Sequence, residues 1–140
     1  MSKIFFYGLF MDEALLAEKG LHPETIGRAV LSDYRIHIGH RATLLPSATS
    51  RAYGIVMELS EQEAHALYSE PSVRAYKRER VRVTLLANNQ IVEAYCYNLP
   101  PGSDLTGTNA AYANKLSRLV EALELDSAYA REISAFGEPS

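Results

Sequence analysis

Ala52-Tyr53-Gly54-Ile55-Val56-Met57-Glu58-Leu59-Ser60-Glu61-Gln62-Glu63-Ala64-His65-Ala66-Leu67-Tyr68-Ser69-Glu70-Pro71 contains the change of period that decides the fold class. Tyr53 to Leu59 alternates and reads as a strand. Ser60-Glu61-Gln62-Glu63 follows at once and is a capping box, a hydroxyl at the cap with a carboxylate three residues on. The helix it opens carries Ala64, Leu67 and Tyr68 on one face. Pro71 cannot continue that helix, so the spacing predicts an end near Glu70.

Upstream, the pattern is mostly strand. Lys3 to Tyr7 is a short apolar run, best read as buried, and it stops at Gly8. Asp12 is a good N-cap for a short helix through Leu15 and Leu16 that stops at Gly20. Thr25 to Val30 and Tyr34 to Ile38 read as two strands separated by Ser32-Asp33. Arg41 to Leu45 reads as a third short piece ended by Pro46. Downstream, Tyr76 to Leu86 alternates in its second half. Asn88-Asn89 is a hairpin turn and Ile91 to Tyr97 the returning strand. Tyr112, Leu116, Leu119, Val120 and Leu123 form an apolar stripe at helical spacing. Asp126 caps a last helix containing Tyr129 and Ile133. About six meandering strands with helices around them predict an α+β fold built on a small, strongly curved sheet or barrel.

The chain has 140 residues, 47% hydrophobic and 22% charged, the composition of one globular domain spanning 1–140. No run approaches the ~20 apolar residues of a membrane span. The N-terminal apolar run is too short for a secretory signal. The one cysteine, Cys96, has no internal partner, so a cytoplasmic location is expected. The net charge of −3 argues against bulk attraction to nucleic acid or anionic lipid.

The common catalytic signatures are absent: no glycine-rich phosphate loop, no nucleophile elbow and no His-Glu-x-x-His. His22, His37, His40 and His65 lack metal-ligand spacing, so no metal and no cofactor are expected. Cys96 reads as a buried structural thiol. Arg78, Arg80 and Arg82 share a strand face. Such a face either binds an anion or RNA, or is solvated and protects a sheet edge. Two features remain. Tyr7-Gly8-Leu9-Phe10-Met11 joins a buried strand to a helix start, where free backbone N–H groups hold carboxylates. Glu70, at the end of a helix, is a carboxylate in an electrostatically disfavoured place, which suits proton exchange near neutrality.

In order along nearly the whole chain, these segments resemble the γ-glutamylcyclotransferase-like family, which includes the plant AIG2-like proteins. Phe5-Phe6-Tyr7-Gly8-Leu9-Phe10-Met11 is similar to its N-terminal Tyr-Gly loop. Tyr34-Arg35-Ile36, with Ala42 and Pro46, is similar to its second block. Ala52 to Ser60 resembles the strand that follows. Leu67 to Glu70 resembles the segment with the family's catalytic glutamate, and Tyr76-Lys77-Arg78 the motif after it. Ala94-Tyr95-Cys96-Tyr97 and Tyr112 resemble the last strand and the opening of the C-terminal helix.

The resemblance implies a small mixed β-barrel flanked by helices, with a pocket. The Tyr7–Met11 loop would bind the α-carboxylate and amine of a γ-glutamyl group through backbone atoms. Glu70 would serve as general acid and base, and Tyr7, Tyr76 and Tyr112 would line the pocket. The implied reaction turns a γ-glutamyl amine or γ-glutamyl amino acid into 5-oxoproline and a free amine, by a monomer or homodimer acting on a small molecule without cofactor, metal, nucleic acid or membrane. The alternative is a non-catalytic protein of the same fold that binds a small metabolite. Three departures bear on the choice. Leu9 and Phe10 replace polar residues after Tyr-Gly, Tyr68 stands where an aspartate is usual, and Pro71 stands where a glycine is usual.

Overall fold

The computed structural model describes residues 1–138. Its strands are β1 (Ser2–Phe6), β2 (Glu24–Ile38), β3 (Ala42–Leu59), β4 (Lys77–Leu85) and β5 (Ile91–Asn98). Its helices are α1 (Glu13–Glu18), α2 (Glu61–Leu67), α3 (Ala110–Ala122) and α4 (Ser127–Ala135). The strands close into a barrel in the order β1-β3-β2-β4-β5. The pairings are antiparallel except where β1 meets β5, at Ile4 and Tyr95. The fold is therefore the α+β mixed barrel that the sequence predicts.

Alternation places the barrel core. Along β4, Val81, Val83 and Leu85 are buried while Arg78, Arg80 and Arg82 are exposed. β1 contributes Ile4, Phe5 and Phe6, and β3 contributes Val56, Met57 and Leu59. Leu116 and Val120 of α3 and Ala130 and Ile133 of α4 are also buried. The Ser117 hydroxyl ties α3 to α4 by donating to the Ala130 carbonyl at 2.8 Å.

There are five strands: two of the predicted breaks are irregularities within longer strands rather than strand ends. Asp33 adopts a left-handed conformation (φ 66°), and its Oδ1 accepts the Thr49 N–H at 3.2 Å. A short acidic residue tolerates that conformation, so the ladder shifts register there and resumes. Pro46 pairs with Tyr34 beside the same irregularity, where a residue without an N–H is accommodated. Thus Thr25–Val30 and Tyr34–Ile38 join as β2, and Arg41–Leu45 and Tyr53–Leu59 join within β3.

Two helix boundaries also differ. A 3₁₀ turn, Leu9–Met11, precedes the Asp12 cap, whose Oδ1 accepts the Ala14 N–H at 3.0 Å. The capping box forms as expected, but α2 ends at Leu67, ahead of Glu70. Proline restricts the residue before it, so Glu70 cannot prolong the helix easily. Its carbonyl instead accepts the N–H groups of Val73 and Arg74, at 3.0 and 2.9 Å. The electrostatic argument from a helix terminus therefore does not apply to Glu70. Among the described residues, no helix is long and apolar enough to cross a membrane.

Candidate active site

β1, β2 and β5 finish at one end of the barrel, where β3 and β4 begin. Connections and strand ends converge there around a cavity of about 360 Å³. The end of β1 and its following turn supply Tyr7, Gly8, Leu9 and Phe10. The segment between α2 and β4 supplies Glu70 and Tyr76, and the first turn of α3 supplies Tyr112. Seven of the eight residues singled out from the sequence thus line one cavity. Met11 does not: it is buried in the core.

Tyrosines and phenylalanines shape the walls. The Tyr7 hydroxyl donates to the Tyr97 carbonyl at 2.8 Å, and the Tyr76 hydroxyl donates to the Ala42 carbonyl. Both phenols are thereby fixed at the barrel end. Tyr68, just past α2, stacks on Tyr97 with centroids 3.6 Å apart and planes within 5°. Phe10 meets Tyr68 edge-on at 5.7 Å and Phe6 at 6.2 Å. The Phe10 side chain is therefore part of the wall, and what the loop offers a ligand is its backbone.

Gly8 is required by a close approach. A Cβ there would lie 2.8 Å from the Tyr112 hydroxyl. Burial holds that hydroxyl protonated well above the usual tyrosine range, and the Leu9 backbone N–H acts on it in the opposite sense. Burial likewise raises Tyr7, Tyr68 and Tyr76, with Arg41 partly opposing the rise at Tyr76. All four phenols are neutral hydrogen-bonding groups near neutral pH.

Glu70 is the cavity's carboxylate. Its oxygens lie 2.7 and 3.0 Å from Nζ of Lys19, the C-cap residue of α1. The Lys19 and Glu70 side chains are 28% and 35% exposed, so the pair sits at the mouth of the cavity. Lys19 is also 5.9 Å from the Phe10 ring centroid. On another wall, His40 and Arg41 enter from the turn between β2 and β3. Sequence reasoning did not single out Lys19, Arg41, Tyr68 or Tyr97 as site residues. They meet the cavity through tertiary contacts that leave no local pattern.

The remaining sequence candidates lie elsewhere. Cys96 is buried, and burial pushes its thiol well above the usual range. Such a thiol is a poor nucleophile. Arg78 bonds to Glu61 at 3.1 Å and lies 4.1 Å over the Tyr95 ring, so part of the arginine face is engaged by its own surface. Among the described residues, no three His, Cys, Asp or Glu side chains gather to hold a metal ion. Chemically, the cavity combines a half-exposed carboxylate at its mouth, backbone of a tight turn, neutral phenols and aromatic walls. Such a set fits proton transfer on a small polar molecule.

The model of the gamma-glutamyl cyclotransferase, AIG2-like family matches residues 4–132. The structure is similar to that of a gamma-glutamyl cyclotransferase, with a TM-score of 0.82 and 16% identity, covering 99% of this chain and 89% of that one. An uncharacterized protein from Homo sapiens gives a TM-score of 0.79 at 16% identity, with the same coverage, 99% and 89%. YkqA from Bacillus subtilis gives 0.80 at 18% identity, covering 97% of this chain and 54% of that one. No curated protein matches the sequence.

Proposed function

This chain belongs to the gamma-glutamyl cyclotransferase, AIG2-like family, and from that premise we propose that it cyclises γ-glutamyl amides to 5-oxoproline, with Glu70 as general acid and base. The observation that carries the reading is Glu70 sharing one small cavity with the Tyr7–Phe10 turn. The substrate's α-carboxylate lies against the turn's backbone N–H groups. Its α-ammonium approaches Glu70, displacing the Lys19 ammonium that bonds to it.

The α-ammonium must lose a proton before its nitrogen attacks. Glu70 takes it. The bond formed joins the α-nitrogen to the γ-carbonyl carbon, and the bond broken joins that carbon to the leaving nitrogen. Protons shed by the attacking nitrogen end on the departing amine, so Glu70 is restored and no water is consumed. Closure is intramolecular, so holding the chain folded back lowers much of the barrier. The Tyr112 hydroxyl, whose oxygen faces the Leu9 N–H, donates to the carbonyl oxygen and stabilises its charge. The reaction requires no cofactor.

The test is 5-oxoproline release, followed by mass spectrometry over a panel of γ-glutamyl amino acids, γ-glutamyl amines and glutathione. The expected result is product from wild type and a loss of at least about 100-fold in kcat for Glu70→Gln, in line with removal of a general base. Wild-type turnover in Glu70→Gln would overturn the mechanism. The apolar Leu9 and Phe10 favour a second reading, a metabolite-binding protein without catalysis. Ligand binding by wild type with no product from any panel member would establish it.

A further inference from the structure

The charges in the cavity do not cancel. Glu70 is matched by Lys19. Arg41 lines the same cavity and forms no ion pair among the described residues. Asp104 feels the charge of Arg41, but its Oδ1 is already taken by the Thr106 N–H and hydroxyl at 2.9 and 2.6 Å. The Arg41 guanidinium stands 5.9 Å from the Tyr76 ring centroid. Arg41 is exposed, so its guanidinium stands at the rim of the candidate site with its donors open to a ligand.

The turn that carries Arg41 is firmly held. The Gly39 N–H donates to the Arg41 carbonyl and the His40 N–H to the Thr106 carbonyl, both at 3.1 Å. Asn109 Nδ2 donates to the His40 carbonyl at 3.3 Å. Gly39 has no room for a side chain, since its Cβ would lie 2.5 Å from the Leu105 carbonyl oxygen. A fork of donors on a fixed turn is suited to a planar carboxylate.

The γ-glutamyl half of the proposed substrate already has its partners: the turn backbone and the displaced Lys19 ammonium for its carboxylate, and Glu70 for its ammonium. The anion left for Arg41 belongs to the leaving group. We infer that Arg41 is a specificity determinant that reads a carboxylate on the leaving amine, so that this protein acts on γ-glutamyl amino acids in preference to γ-glutamyl alkylamines. The inference rests on the proposed function. A cavity of about 360 Å³ is at the small end for ligand pockets and suits a molecule of dipeptide size.

The test compares γ-glutamyl-alanine with γ-glutamyl-ethylamine, which differ by that carboxylate. In wild type, kcat/KM is expected to favour γ-glutamyl-alanine by about 10- to 100-fold, the worth of a charge-assisted hydrogen-bonded pair. In Arg41→Gln the ratio falls at least tenfold, and Arg41→Lys restores part of it. A ratio unchanged by Arg41→Gln overturns the inference, including the case where both substrates weaken alike because Arg41 serves the γ-glutamyl half or the turn. Should wild type release no 5-oxoproline from either compound, the proposed reaction fails, and calorimetric binding of the same two compounds decides the inference separately. Tighter binding of γ-glutamyl-alanine that Arg41→Gln abolishes upholds it. Equal binding of the two, or no binding, overturns it.

Discussion

Gly8 and Tyr112 approach each other more closely than a side chain at position 8 would allow. The contact brings the first turn of α3 onto the loop after β1, two segments about a hundred residues apart in the chain. In Gly8→Ala the new methyl meets the Tyr112 hydroxyl and must move it. The expected cost is about 1–2 kcal/mol of stability, the usual penalty for overpacking, with a larger proportional loss of ligand affinity because the loop backbone shifts. Tyr112→Phe removes the clashing oxygen. Urea denaturation of the two single variants and the double variant checks this: most of the Gly8→Ala cost is expected to vanish in the Tyr112→Phe background. Additive costs would show that the two residues do not interact.

At the scale of elements, α2 depends on its cap. Seven residues are too few for a helix to persist on propensity. Ala64 and Leu67 anchor it in the core, and Ser60 closes its first turn by accepting the Glu63 N–H at 3.1 Å while Glu63 accepts the Ser60 N–H at 3.0 Å. Ser60→Ala is expected to cost about 1 kcal/mol, which for a chain of this size lowers Tm by about 4 °C. Thermal unfolding followed by circular dichroism measures it, and an unchanged Tm would show that the cap contributes nothing. This box was legible in the sequence because its partners are three residues apart. The alternation of β4 and the stripe of α3 were legible for the same reason. Asp33 and Pro46 misled, since each is a turn residue used at a bulge, and only the pairing across β2 and β3 distinguishes the two. Glu70 and the Tyr7–Phe10 loop were found through the order of motifs along the chain. Lys19 and Arg41 were not, because each reaches the cavity from an element remote in sequence from Glu70.

For the whole molecule, the tyrosines lining the cavity couple stability to alkaline pH. Burial raises Tyr7, Tyr68, Tyr76 and Tyr112 above the ordinary value of 10.0. Below that value each phenol is protonated in both folded and unfolded chains, and stability is undiminished. Above it the unfolded chain releases protons that the folded chain retains, so the unfolded state is stabilised relative to the folded one as pH rises, by about 1.4 kcal/mol per pH unit for each withheld phenol. The urea midpoint is therefore expected to hold steady up to about pH 9.5 and to fall steeply beyond about pH 10. Phenolate absorbance provides the matching readout. The buried phenols ionise only as the barrel opens, in a step coincident with loss of secondary structure. A single step completed while the circular dichroism remained native would mean that the cavity admits hydroxide freely, and that the tyrosine wall is open to water.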